Sequence, residues 1–156
     1  MWQRIQTVYL ILVIILMTAG ILLPSAEFFN STNNIAYQLD ARGIVEMSAQ
    51  GATDKLASTN PMTFLYGLIL FITTFCIFKF QDRKKQFRLA TINFILILIY
   101  IIGFAVFVFY AKNKLGTDLS LKYSAVFPVI ALILNYLAMR GISKDEKLVR
   151  SLDRLR

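Results

Sequence analysis

The sequence predicts an all-α membrane fold. It is a bundle of four transmembrane helices, with a short amphipathic helix at the C-terminal end and a small β-hairpin in the first outer loop. Three observations predict it. Of 156 residues, 57% are hydrophobic, against roughly 45–50% in soluble domains. The excess lies in four blocks with uncharged interiors, and charge is confined to the segments between them, as in a chain divided between lipid and water. The blocks do not alternate polar and apolar residues, so they suit helices rather than a membrane barrel. The whole chain, 1–156, is expected to form a single membrane domain.

The first block runs from about Ile5 to Leu23 and carries no charge over nineteen residues, about 28 Å of helix against a hydrocarbon core of ~30 Å. That length exceeds the ~7–15 apolar residues of a signal peptide, so a retained helix is expected. The second block, about 61–80, opens on Asn60-Pro61, and proline is tolerated in a first helical turn. The third runs from Leu89 to Tyr110. The fourth, Tyr123 to Met139, is short at seventeen residues, about 25 Å; its Pro128 falls in the second turn, where a kink is expected.

Lysine and arginine set the orientation. The N-terminus, the second loop and the tail hold twelve of the seventeen basic residues, and the first and third loops hold five. Positive residues stay inside, so both termini are expected in the cytoplasm. The net charge of +8 is then read as cytoplasmic loops held against anionic headgroups, with the lipid bilayer as partner and no nucleic acid.

The outer loop, 24–60, carries Glu27, Asp40, Glu46 and Asp54 against Arg42 and Lys55. Ile35, Tyr37 and Leu39 alternate with Ala36 and Gln38, Asp40-Ala41-Arg42-Gly43 supplies turn residues, and Ile44-Val45-Glu46-Met47 can pair back. A small hairpin is expected there.

At the other end, Gly141 is expected to stop the fourth helix. Ser143-Lys144-Asp145-Glu146 then reads as a capping box opening a cytoplasmic helix over 143–155, with Leu148, Leu152 and Leu155 at helical spacing.

Chemistry is sparse. There is no histidine and one cysteine, Cys76, so a disulfide within the chain and a cysteine-based metal cluster are excluded, and the commonest general base is missing. No carboxylate lies inside a span, which argues against a proton-coupled carrier. The carboxylates elsewhere have no metal-ligand spacing. Neither an enzyme nor a cofactor is expected. Thr73, Thr74, Asn93 and Asn135 fall at similar depth near the cytoplasmic boundary, and an interhelical polar layer is expected there, with Asn93 bonded to Asn135.

The opening Met1-Trp2-Gln3-Arg4-Ile5-Gln6-Thr7 and the closing Arg140-Gly141-Ile142, then Lys144 to Arg156, resemble the terminal motifs of a group of small bacterial four-helix membrane proteins classed as a domain of unknown function. The resemblance implies a bacterial inner-membrane location and carries no activity. The expected role is a non-enzymatic accessory or scaffold subunit of a membrane complex. Its cytoplasmic docking face would comprise Gln3, Arg4, Arg83, Lys84, Lys85, Arg150, Asp153, Arg154 and Arg156. A membrane-protein partner or a second copy of the chain would sit there. The alternative is a small passive channel or transporter through the polar layer.

Overall fold

A computed structural model describes residues 3–30, 35–40, 43–48, 51–58, 60–80, 82–115 and 118–153. Helix α1 (Gln3–Leu22) leads into strands β1 (Ala26–Asn30), β2 (Ile35–Asp40), β3 (Gly43–Ser48) and β4 (Gly51–Ser58). Helices α2 (Asn60–Phe78) and α3 (Arg83–Leu115) follow, then β5 (Asp118–Leu121), a 3-10 turn (Tyr123–Val126) and α4 (Phe127–Asp153). Four helices among the described residues are long and apolar enough to cross a membrane. The chain runs up, down, up and down, so one end of the bundle carries the sheet and the other gathers the start of α1, the α2–α3 turn and the end of α4. Helix α4 packs on α1 and α3, and α2 packs on the same two, which places the four in a square.

The helices meet along a seven-residue repeat. The buried positions are Gln6, Leu10, Val13, Met17 and Gly20 on α1, and Tyr66, Ile69, Thr73 and Cys76 on α2. On α3 they are Gln86, Ala90, Asn93, Ile97, Tyr100, Val108 and Ala111, and on α4 Pro128, Ala131, Asn135, Ala138, Ile142 and Asp145. Up to Tyr100 on α3, and along the other three helices, the steps alternate between three and four, the spacing of left-handed supercoiled bundles. The outward faces are also apolar: Ile11, Ile15, Phe71, Phe75, Ile95, Ile102 and Ile133 are all exposed. Such a surface suits lipid as its solvent.

Small residues bring the helices close. A Cβ on Gly20 would lie 2.5 Å from the Tyr66 hydroxyl, and one on Gly141 would lie 2.8 Å from Cγ of Gln6. The Gly141 contact corrects one expectation. Gly141 does not end α4, and no separate tail helix begins at Ser143; a single helix runs from Phe127 to Asp153. The glycine lets α4 lie against α1, and the Ser143–Glu146 stretch is helix interior rather than a cap. Pro128 sits in the first turn of α4, where no helical donor is lost, so the kink expected from a later position has no cause. Helix α3 is also longer than the expected 89–110. Its 33 residues span about 50 Å.

The expected hairpin is present. Strands β2 and β3 pair antiparallel with Ala36 opposite Met47 and Leu39 opposite Ile44, and Gly43 takes φ 151° at the turn, a backbone that side chains disfavour. The hairpin is part of a larger unit, a five-stranded antiparallel sheet of order β4-β3-β2-β1-β5. Ala26, Phe28, Leu39 and Ile44 cluster on Val108 and Ala111 of α3. The last turns of α3 thus supply the apolar surface that an isolated hairpin lacks.

Candidate functional site

The polar residues of the seam concentrate at the end opposite the sheet. Gln6, fully on the seam of α1, donates from Nε2 to Oδ2 of Asp145 on α4 at 2.6 Å. Asp145 is 7% exposed, and a buried carboxylate requires a donor. Arg83, the first residue of α3, donates from Nη1 to the Asp145 carbonyl at 3.0 Å. Gln86, one turn on, donates to the Cys76 carbonyl at 3.4 Å, and the Cys76 thiol donates back to the Gln86 carbonyl at 3.5 Å. Side chains from α1, α2, α3 and α4 are thereby tied at one level.

These groups line a cavity of about 260 Å³ walled by Gln6, Thr7, Phe80, Arg83, Gln86, Ile142 and Asp145. The residues come from three separate segments: the opening motif, the α2–α3 turn and the closing motif. The turn itself is built by Asp82. Its Oδ1 accepts the Lys85 amide at 3.4 Å and its Oδ2 the Lys85 ammonium at 2.8 Å, the geometry of a helix N-cap. The side-chain bond to Lys85, then the backbone bond, hold the Asp82 carboxyl below the usual carboxylate range.

Deeper on the axis, Leu10, Cys76, Ala90, Ala138 and Ile142 form an apolar layer in which each is at most 1% exposed. Beyond it, Asn93 Nδ2 donates to Asn135 Oδ1 at 3.2 Å, and Asn135 Nδ2 donates to the Ala90 carbonyl at 2.9 Å. Both asparagines are fully buried, and Asn93 Oδ1 has no partner among the described residues. Thr73 is buried but bonds the Ile69 carbonyl of its own helix at 2.7 Å. Thr74 corrects the four-residue layer: it is exposed on the outer face of α2, bonded to the Leu70 carbonyl at 2.8 Å, and does not join the other three.

Of the nine residues expected on a docking face, Arg83 is half-buried in the cavity wall, and Lys84 and Lys85 are exposed beside it. The side chains of Gln3, Arg4, Arg150 and Asp153, and all of Arg154 and Arg156, lie outside the described residues. Gln6, Gln86 and Asp145 were not singled out as site residues from the sequence. Their signal is the seven-residue spacing to Val13, Asn93 and Ala138, which places them on the buried seam. No cluster of three or more metal-ligating side chains occurs among the described residues.

No curated protein matches the chain. A family model covers residues 2–155. The chain belongs to the family described as Domain of unknown function (DUF4293).

Proposed function

We propose that this chain is a multi-pass protein of a bacterial inner membrane, with both termini in the cytoplasm, acting as a non-enzymatic accessory subunit of a membrane complex. Its docking surface is the bundle end opposite the sheet. The observation that carries this reading is the Gln6–Asp145–Arg83 network. It joins the first helix, the α2–α3 turn and the extension of the last helix into one preorganised face, and preorganisation lowers the ordering cost of association. Lys84 and Lys85 lie exposed on that face, so an acidic segment of a partner is the complementary chemistry. The cavity of about 260 Å³ beneath them has the size to take one partner side chain.

The passive-channel alternative has less support. The fully buried Leu10, Ala90 and Ala138 lie between the cavity and the asparagine pair, so a continuous wet path would require these helices to part.

A photoreactive amino acid at position 84, introduced in cells, tests the docking reading. One discrete, salt-sensitive crosslinked membrane partner, lost in Arg83→Ala but retained in Ser120→Ala at the sheet end, is the expected result. Crosslinking to lipid alone, or to partners indifferent to Arg83→Ala, would reject it.

A further inference from the structure

A second concavity of about 370 Å³ lies on the outer surface between α3 and α4, lined by Phe87, Tyr136, Met139, Arg140, Ser143 and Lys144. It is separate from the end-on cavity and shares no residue with it. On α4, positions 136, 139, 140, 143 and 144 fall at i, i+3, i+4, i+7 and i+8, which is one helix face. That face is graded. Tyr136 and Met139 lie toward the middle of the bundle, where the Tyr136 ring leans on Phe94 at 6.5 Å between centroids. Arg140, Ser143 and Lys144 lie toward its end. The apolar-to-basic change along the groove therefore runs along the bilayer normal, over about 12 Å.

A ligand suited to this groove is itself graded. Its charged part is anionic, since the lining holds two cations and the hydroxyls of Ser143 and Tyr136 and, among the described residues, no acid. The guanidinium fork of arginine matches phosphate oxygens, and an ammonium one turn away adds a point charge. Its other part must be apolar, because Phe87, Tyr136 and Met139 offer little to a wet solute. The groove opens on the outside of the bundle, beside the exposed apolar faces. Basic clefts between membrane helices near the headgroup level are a known setting for lipid recognition.

We propose that this groove binds an anionic glycerophospholipid, with the phosphate held between Arg140 and Lys144 and an acyl chain laid along Tyr136, Met139 and Phe87. The binding is independent of the docking reading, because it uses the lipid-facing surface of α3 and α4.

The test is native mass spectrometry of the full chain in mild detergent, delipidated and titrated with phosphatidylglycerol or phosphatidylcholine. Wild type should retain one phosphatidylglycerol in preference to phosphatidylcholine. The double variant Arg140→Gln/Lys144→Gln should bind it roughly thirtyfold more weakly, as expected for losing two cations at the membrane surface. Lys84→Gln/Lys85→Gln, which removes equal charge from the same end, should bind normally, and Arg140→Lys should retain most of the affinity. Equal retention of phosphatidylcholine, or unchanged binding by the double variant, would overturn the proposal. Displacement by inorganic phosphate at concentrations equal to the lipid would also overturn it and reassign the groove to a soluble phosphate.

Discussion

Asn93 and Asn135 face each other across the bundle but do unequal work. Asn135 accepts from Asn93 and donates to the Ala90 carbonyl and the Met139 sulfur, whereas Asn93 donates one bond and keeps a bare acceptor. Interhelical bonds of this kind contribute about 0.6–1.7 kcal/mol each. Asn135→Leu should therefore destabilise the bundle by about 1–3 kcal/mol, and Asn93→Leu by less, since it also removes the bare acceptor. Unfolding in mixed micelles would rank the two; the reverse order would mean the amide assignment is inverted. Gly141 makes a different residue-scale case. Gly141→Leu drives a side chain into the space of Gln6, and a loss of about 1–3 kcal/mol is expected from overpacking, read as a fall in melting temperature. Asp82 supplies the pH term. Because its carboxyl is held below the ordinary range by Lys85, its contribution is present at neutral pH and is lost as pH falls through the folded value. Stability from this group should be flat down to about pH 4 and then decline. Melting curves of Asp82→Asn should lack that acid limb.

Element ends were the least legible part of the sequence. Hydropathy marks where lipid stops, not where a helix stops. Helix α3 begins at Arg83 because Asp82 caps it, six residues before the apolar run, and ends at Leu115 because its last turns cover the sheet. Helix α4 continues past Gly141 because Ile142 and Asp145 still find partners on α1 and α3. The Asn93–Asn135 contact was readable, because polar residues in a span must find each other. The seven-residue seam was not, because in lipid the outward face is as apolar as the inward one and the usual contrast vanishes. Read afterwards, polar and small residues mark it: Gln6, Thr73, Gln86, Ala90, Asn93, Asn135, Ala138 and Asp145 all lie on it. The β2–β3 hairpin was legible from local alternation, whereas β1, β4 and β5 were not. Strand β5 has four residues and pairs with β1 from across most of the chain, which no local pattern records. If the extension of α4 depends on Asp145, then Asp145→Ala should leave the membrane part intact and speed tryptic cleavage after Lys144, while Asp145→Asn, which can still accept from Gln6, should cut more slowly.

At the scale of the molecule, the two ends differ in construction. One is a sheet sealed onto the bundle, and the other a basic face around a cavity. Their sides of the membrane can be assigned directly, because the native Cys76 is fully buried and gives little background. A membrane-impermeant maleimide should label Ser120→Cys on intact spheroplasts and Lys84→Cys only after permeabilisation. The opposite pattern would invert the orientation argued from the lysines and arginines, and the acidic cytoplasmic partner with it.

The way β5 joins the sheet has a consequence for biogenesis. Ser25 donates to Leu39 and accepts from Lys122, Ser124 bonds the Pro24 carbonyl, and Lys122 meets Glu27 at 2.8 Å. The corner leaving the first span is therefore latched by residues synthesised about a hundred positions later. Until that latch has been made, β1 carries a raw edge of unpaired amides and carbonyls, which is a template for strand exchange between nascent copies. A chain halted after α3 should accordingly stick to its siblings, and completing the chain through Ser124 should release it, so a late-made strand acts as the quality check on an early one.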